Sequence, residues 1–340
     1  MLRRTAAVAG FLTVLGGRAE AQRVTGVVVE DGRPVNAVFV TLMRPDSVRI
    51  AAFVSDSSGR FFFDLPAPGR YLLRAERIGH ATSYLEVDVP ASGLAVRMVA
   101  PAAAIALNAI AVRGDGRCTV RPTAAAAAAR IWDEARKSLE LTRFAAAREE
   151  LTFRGSRYVR ELDASGERVL SERFQPLVTA GTRAFRPVDL AILDTVGFVT
   201  VYADTLEYFA LDAEILLSDQ FLDHHCFEAV AGGPADPDRV GLRFRPVPAR
   251  RLPEIEGTLW LDARTSALLH IDFRYVQATR LVPIGNAIGR VEFARTDGGL
   301  VYVDRWWLRM PRIVEQQGRR RITGWVEEGG VVQGIGSAND

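Results

Sequence analysis

The chain contains one lysine, Lys137, although Lys and Arg together number 43. An arginine bias of this kind reads as the codon usage of a GC-rich genome rather than as selection for phosphate binding. A net charge of +2 is too small to create a global field that favours nucleic acid or an acidic membrane. Cysteine is equally scarce, with Cys118 and Cys226 alone. Beyond the N-terminus no stretch reaches the about 18 uninterrupted apolar residues of a membrane-spanning helix, so a protein that is soluble or peripheral to a membrane is expected. There is no G-x-S-x-G nucleophile elbow and no P-loop. Gly334-Ile335-Gly336 lies at the C-terminus without a following helix, which rules out a dinucleotide fingerprint there.

What remains is an ordinary globular composition, 48% hydrophobic and 25% charged over 340 residues, enough for two or three domains. Residues 1–21 read as a secretory signal peptide. Arg3 and Arg4 are followed by the apolar run Ala6–Leu15 and by Ala19-Glu20-Ala21, a small-x-small cleavage pattern. A short N-terminal core helix would rarely carry charge, apolar run and small residues in this order. The arginine pair leaves both the general and the twin-arginine export routes open. No cysteine stands at the cleavage point, so a lipid anchor there is not expected. Export places the protein in the periplasm, at the outer-membrane periphery or outside the cell. In such a compartment two cysteines suggest one disulfide, Cys118 to Cys226; free or metal-bound thiols are the alternative.

Residues 22–98 form a train of short strands with turn chemistry every 8–12 residues, which favours an antiparallel sandwich. Asp31-Gly32 with Pro34, Asp56-Ser57-Ser58-Gly59 and Pro66-Ala67-Pro68-Gly69 supply the turns. Phe61 and Phe63 alternate with Phe62, and Tyr71, Leu73 and Ala75 alternate with Leu72 and Arg74. The order of these pieces is specific. Gly26-Val27-Val28 is followed by Asp31-Gly32-Arg33-Pro34-Val35 and Val40-Thr41-Leu42. Next come Asp56-Ser57-Ser58-Gly59-Arg60-Phe61-Phe62-Phe63 and Leu65-Pro66-Ala67-Pro68-Gly69-Arg70-Tyr71-Leu72-Leu73, with Gly79 after. This set resembles the carboxypeptidase regulatory-like domain, a transthyretin-like or prealbumin-like sandwich. The resemblance covers under a quarter of the chain and implies an appendage without catalytic residues. It also implies a fold shared with carbohydrate-binding modules.

Residues 99–117 read as a linker, in which Leu107–Val112 is a candidate for one more strand. Residues 118–335 read as a second domain, a larger curved antiparallel sheet backed by one long helix, so that the whole chain is mainly β. The helix is expected over Thr123–Ala147, because Pro122 precedes an alanine run and Trp132, Ala135, Leu139 and Thr142 share a face. Packing on its own sheet is the plainer expectation for that face than a partner's surface. Residues 151–162 and 168–178 flank Asp163-Ala164-Ser165-Gly166 as a hairpin. Further strands are expected at Val196–Ala203, Arg239–Phe244 and Leu300–Met310. Another has Leu269, Ile271, Phe273 and Tyr275 on one face and His270, Asp272 and Arg274 on the other. Phe244-Arg245-Pro246 and Glu256-Gly257-Thr258-Leu259-Trp260-Leu261-Asp262 make this region similar to an uncharacterised bacterial envelope family. Members of that family often end in an outer-membrane barrel, which these 340 residues are not expected to contain. The phrase from Gly257 to Ile271 also occurs in the half-barrels of periplasmic lipoprotein carriers.

Few residues suggest chemistry. His225-Cys226-Phe227-Glu228 matches the H-x-x-E zinc motif, but positions i and i+3 of a strand point to opposite faces and do not converge on one metal. Adjacent His224 and His225 would likewise point apart on a strand, and His80 and His270 are isolated. Ser156 and Ser165 fall in apparent turns. Glu149-Glu150 and Glu327-Glu328 read as solvated pairs, and Arg319-Arg320-Arg321 as a charged turn. No catalytic residue, metal or cofactor is expected, and zinc carboxypeptidase activity least of all. Trp260, Trp306 and Trp307 are the candidate ligand contacts, with Trp325 nearby; core packing is the plainer use of such residues in strands.

The function expected is therefore a non-catalytic binding or scaffolding protein of the cell envelope, with an envelope protein, glycan or lipid as partner. Carbohydrate binding and carriage of a lipid or apolar ligand are the alternatives. An enclosed apolar cavity would favour carriage, a shallow aromatic strip sugar, and a filled core with a free edge scaffolding by strand addition. Mass spectrometry of the exported protein should place its first residue at Gln22; an intact leader would refute the export reading.

Overall fold

The computed structural model describes residues 22–101, 118–147, 151–180, 185–202, 205–278, 287–317 and 319–337. The expected leader at 1–21, most of the expected linker and the candidate strand Leu107–Val112 lie outside them.

The first eight strands are β1 (Gln22–Glu30), β2 (Arg33–Pro34), β3 (Phe39–Met43), β4 (Arg49–Val54), β5 (Arg60–Leu65), β6 (Gly69–Glu76), β7 (Ser83–Val89) and β8 (Leu94–Val99). They make two four-stranded sheets, one with β1 beside β2, β5 and β8, the other in the order β4-β3-β6-β7. The expected alternation holds: Phe61, Phe63, Tyr71, Leu73 and Ala75 point into the core shared with Val24, Val28, Val40 and Leu42. The sandwich departs from a purely antiparallel one at a single place, where β8 pairs parallel with β1.

A 3-10 turn at Pro122–Ala124 leads into α1 (Ala126–Ala146). After it come β9 (Leu151–Leu162), β10 (Val169–Ala180), α2 (Leu190–Val196), β11 (Val199–Tyr202), β12 (Thr205–Tyr208), α3 (Ala213–Leu216) and α4 (Asp219–His224). The chain continues through β13 (His225–Ala231), β14 (Arg239–Pro246), β15 (Glu254–Asp262), β16 (Leu268–Val276), β17 (Ile288–Arg295), β18 (Val301–Gln316) and β19 (Arg319–Ser337). Nine of these strands form one antiparallel sheet in the order β10-β9-β19-β18-β17-β16-β15-β14-β13. Ala229, Leu242, Leu259, Ile271, Val291 and Trp306 stand opposite one another in register and build one apolar row of its inner face. Helix α1 lies on that face through Ala128, Ile131, Trp132, Ala135 and Leu139. The mixture of a small sandwich and a helix-covered sheet makes the chain mainly β, as its alternating patterns imply.

Some local expectations change. The strand expected at Val196–Ala203 begins only at Val199, because Asp189 caps α2 by accepting from the Ala191 N–H and Gly197 ends it with φ 76°. Leu268, not Leu269, joins the core. A bulge opposite Trp260/Leu261 pairs Leu261 with Leu268, which leaves Leu269 as the extra residue. Arg319–Arg321 are not a turn: they open β19 and pair with Val314–Gln316, so the hairpin turns at Gln317, whose φ is 54°. His224 ends α4 rather than lying in a strand.

The two parts of the chain meet through the other side of α1. Phe39 and Ile78 of the sandwich pack with Leu141 of α1 and Val301 of β18. Beside this apolar contact lies a buried ion cluster. Lys137 donates to Glu134 Oε1 at 2.6 Å and to the His80 carbonyl at 2.6 Å, and its Nζ lies 3.1 Å from Asp133 Oδ2. The Lys137 and Glu134 side chains are each 1% exposed. Glu134 also accepts the Gly79 N–H at 2.5 Å, and Arg136 donates to the buried Glu76 at 2.5 Å. Burial pushes the Glu134 carboxyl above the usual range, against the pull of Lys137 and the Gly79 N–H. At Asp133 burial would do the same, but Lys137 and Arg136 outweigh it and hold that carboxyl low.

Lys137→Met leaves Glu134 charged, buried and without its cation, and such a break costs roughly 3–5 kcal/mol. Adding Glu134→Gln keeps an acceptor for the Gly79 N–H and removes the stranded charge. Denaturant unfolding should therefore show the double variant more stable than Lys137→Met alone. Equal stability of the two would mean that the ion pair does not carry the junction.

Candidate functional site

Cys118 and Cys226 form a disulfide with a Cα–Cα distance of 4.9 Å across 108 positions of sequence. Cys226 sits at the start of β13, where the Phe227 N–H donates to the Thr119 carbonyl at 2.8 Å. The bond thus holds the entry to α1 against the far edge of the sheet.

The tryptophans are distributed over both faces. Trp306 is 4% exposed in the inner row and packs in the core, so it is not a surface contact. The Gly330 opposite it makes room: a Cβ there would stand 2.3 Å from the Trp306 ring. Trp307 and Trp260 are half-buried on the outer face. They stand three strands apart, roughly 14 Å along the sheet, with His270, Asp272, Arg290 and Glu292 between them. The three candidates therefore do not assemble one aromatic strip.

The outer face instead carries cross-strand rows of charge. Glu228, Arg243, Thr258, Asp272, Arg290 and Trp307 succeed one another from β13 to β18, and Gly329, Tyr158 and Phe174 carry the row on to β10. Arg290 donates twice to Asp272, at 2.6 and 3.1 Å. One row over, Arg309 donates to Glu327 at 3.0 and 2.7 Å, Arg160 donates to the same carboxylate at 3.2 Å, and Arg160 pairs with Glu172 of β10. Glu327 is buried, not a solvated partner of Glu328. Its charge and burial push the Tyr158 hydroxyl up to about 12, burial being the larger cause. An open groove of about 660 Å³ lies over Trp307, where Arg290 is paired with Asp272, Arg274 with Glu256 and Arg243 with Glu228, and Arg245 adds a fourth cation to the lining.

On the inner side, a cavity of about 210 Å³ opens between the last turn of α1 and the sheet, lined by the apolar Ala146, Leu211, Ile271, Val291 and Phe293 and also by Arg143, Asp212 and Glu214. It is smaller than the roughly 300–1,000 Å³ of ligand pockets.

His225 is buried, stacked on Phe221 at 4.0 Å between ring centroids. Its ring nitrogens face the Phe221 carbonyl at 2.9 Å and the Ile255 carbonyl at 3.1 Å. A neutral ring has one N–H for two acceptors, yet desolvation prevails and pulls its pKa down to about 4. Glu228 is half-exposed on the opposite face of β13, so the H-x-x-E residues do not converge. His224 points elsewhere, its Nδ1 3.4 Å from Asp194. His80 lies 3.2 Å from Glu30, and His270 3.3 Å from Asp272. Among the described residues no group of three or more His, Cys, Asp or Glu side chains is arranged to hold a metal ion. Among the same residues no helix is long and apolar enough to cross a membrane.

The feature that sequence reasoning passed over is the free side of β10. Among the described residues no strand pairs with it beyond β9. Phe174 is 60% exposed and Val178 69%, with Val169 and Leu170 also exposed. Residues 174 and 178 are an even number apart and share a strand face, so their common side could be read in advance. Their position at the edge could not, because it depends on β19 returning to pair with β9.

The N-terminal sandwich is a carboxypeptidase regulatory-like domain: the model of that family matches residues 23–99. The match says nothing of the second domain. No curated protein matches the chain.

The histidine gives a measurable consequence. Unfolded, the imidazole titrates near 6.5; folded, near 4. Between those values the unfolded chain binds the proton and the folded one does not, so stability present above pH 6.5 is lost as pH falls to 4. The loss is roughly 3 kcal/mol. Glu254, whose Oε2 lies 3.8 Å away, is pushed up by burial and acts in the opposite sense. Comparing melting temperatures of the protein and its His225→Gln variant from neutral to acid pH isolates the histidine. The variant should lose less stability; parallel curves would exclude His225 as the titrating group.

Proposed function

We propose that the protein is exported and acts without catalysis as a binding or scaffolding component of the cell envelope, assembling by strand addition at β10. The observation that carries this reading is the edge itself. Among the described residues no strand pairs with β10 on the side away from β9, and Phe174 and Val178 are exposed on it at the end of a nine-stranded sheet. Long apolar edges are templates for another strand, and folded proteins ordinarily blunt or cover them. The Cys118–Cys226 bond supports an oxidising compartment, in line with reading residues 1–21 as a secretory leader. The small inner cavity gives less support to lipid carriage, and the dispersed tryptophans less to sugar binding by the second domain.

A photo-crosslinking residue placed at Phe174 in living cells should yield one or a few discrete protein adducts. The same probe at exposed Tyr84 of β7 serves as the control. A pattern at 174 indistinguishable from that at 84 would overturn the edge reading.

A further inference from the structure

We propose that the inner cavity beside the last turn of α1 binds a small primary amine, an ammonium group on a short tether from a single aromatic ring or an aliphatic group of that size. The proposal makes no use of β10 and goes beyond the edge reading.

The cavity exists because α1 runs out of large apolar side chains on its sheet side. Ile131, Trp132 and Leu139 fill the space between helix and sheet further back along α1. At its last turn the helix presents Thr142, Ala146 and Ala147 instead. The Thr142 hydroxyl donates to the Ser138 carbonyl at 2.9 Å, so it makes no polar demand on the cavity. Opposite lie Leu211, Ile271, Val291 and Val303, all buried, with Phe293 partly so. Walls of this kind hold water poorly and rings well: a cavity of about 150 Å³ lined by Leu, Ile and Phe stays dry and takes up benzene. The 210 Å³ here therefore has room for one ring and a short tether.

The charges at the mouth select a cation. Among the lining residues Asp212 and Glu214 stand against one cation, Arg143. Arg143 is already paired with Glu140 at 2.7 Å, which it shares with Arg49 at 3.1 Å. Asp212 caps α3, its Oδ1 accepting the Ile215 N–H at 2.8 Å. Glu214, in the first turn of α3, is exposed and has no hydrogen bond or ion pair among the described residues. The end of α1 adds to the same bias, because the last carbonyls of a helix lack intrahelical donors and carry the negative pole of its dipole. A ring seated on Ile271 and Val291 thus leaves its ammonium group beside Glu214, whereas a carboxylate there would meet two acids.

Calorimetric titration of the exported protein with 2-phenylethylamine, protonated at neutral pH, should give one site with a dissociation constant on the order of 0.1 mM. The anion of the same tether, 3-phenylpropionate, should bind more weakly. Ala146→Leu places a side chain in the cavity without harm to α1, since Leu is a good helix former; it should abolish binding and leave the unfolding midpoint in place. Glu214→Gln, on the surface, should weaken the amine up to about fivefold, as expected for a partly exposed charge pair. An amine that does not bind at millimolar concentration overturns the site. Binding that Ala146→Leu leaves unchanged puts the amine elsewhere and overturns it too. Phenylpropionate bound as tightly as the amine, or full affinity in Glu214→Gln, overturns the ligand class and the proposal with it. None of these results bears on the crosslinks at Phe174, so the cavity and the edge are tested separately.

Discussion

An ammonium group buried among oxygens is stable only if all its protons are used, and Lys137 uses its own on three oxygens from two parts of the fold. Two of the three, on Asp133 and Glu134, lie one turn back on α1, where the helix sets them at i,i+4 and i,i+3. The third is the His80 carbonyl of the sandwich. Glu134 in turn accepts from the sandwich backbone at Gly79. Separating the sandwich from the helix would break the Lys137–His80 and Glu134–Gly79 hydrogen bonds, each made by a charged group and therefore stronger than a neutral one. The apolar contact of Phe39, Ile78, Leu141 and Val301 excludes water from the same seam. Sandwich and helix are therefore held as one body at this point.

The helix passes that constraint to the sheet. Its opposite side supplies Ile131, Trp132, Ala135 and Leu139 to the inner face, and the disulfide pins its entry to β13. With the inner face covered, the outer face is stiffened by arginine–carboxylate ladders that run towards β10. The series Arg309, Glu327, Arg160, Glu172 ends on the edge strand itself. The edge is thus held in place by interactions that do not involve its free side. It carries some of the devices that limit promiscuous pairing, namely Pro176, the bulge at Leu170 and the charges of Glu172 and Arg173. Phe174 and Val178 are left between and beyond them. Partial blunting of this kind restricts which strand can add, and in which register, without closing the edge.

Much of this fold is legible in order along the chain. Turn chemistry at Asp31-Gly32, Ser58-Gly59 and Pro68-Gly69 separates strands whose apolar residues alternate, and both properties are local. The Cys118–Cys226 bond is legible for a different reason, since two cysteines allow only one pairing. What fails is what depends on distant pairing or on one-residue shifts. Leu269 loses its core place to Leu268 because of a bulge, and Arg319–Arg321 join a strand because β18 extends past the expected Met310 to Gln316. Trp306 and Trp307 are equivalent in composition, yet parity on one strand sends the first into the core and the second to the outer face. The most informative residue was visible throughout as an oddity of composition. A lone lysine in an arginine-rich chain reads as codon usage until its burial is seen, and the burial arises only when two domains meet.

This division also bears on the regulatory-like sandwich. Phe39, Glu76, Ile78 and Gly79 are spent on the second domain, so the sandwich cannot offer that surface to a ligand. Two open grooves lie elsewhere on the sandwich, one of about 560 Å³ beside Arg23, Phe53 and Phe62 and one of about 390 Å³ beside Arg70, Tyr71 and Glu86. In the larger groove Arg23 is paired with Asp64 at 2.7 Å and stacks over the Phe62 ring at 5.1 Å, with Thr25, Asp56 and Arg60 also in the lining. By clamping the helix through Lys137 and Glu134, the sandwich fixes the cover of the sheet whose free edge is the candidate point of assembly.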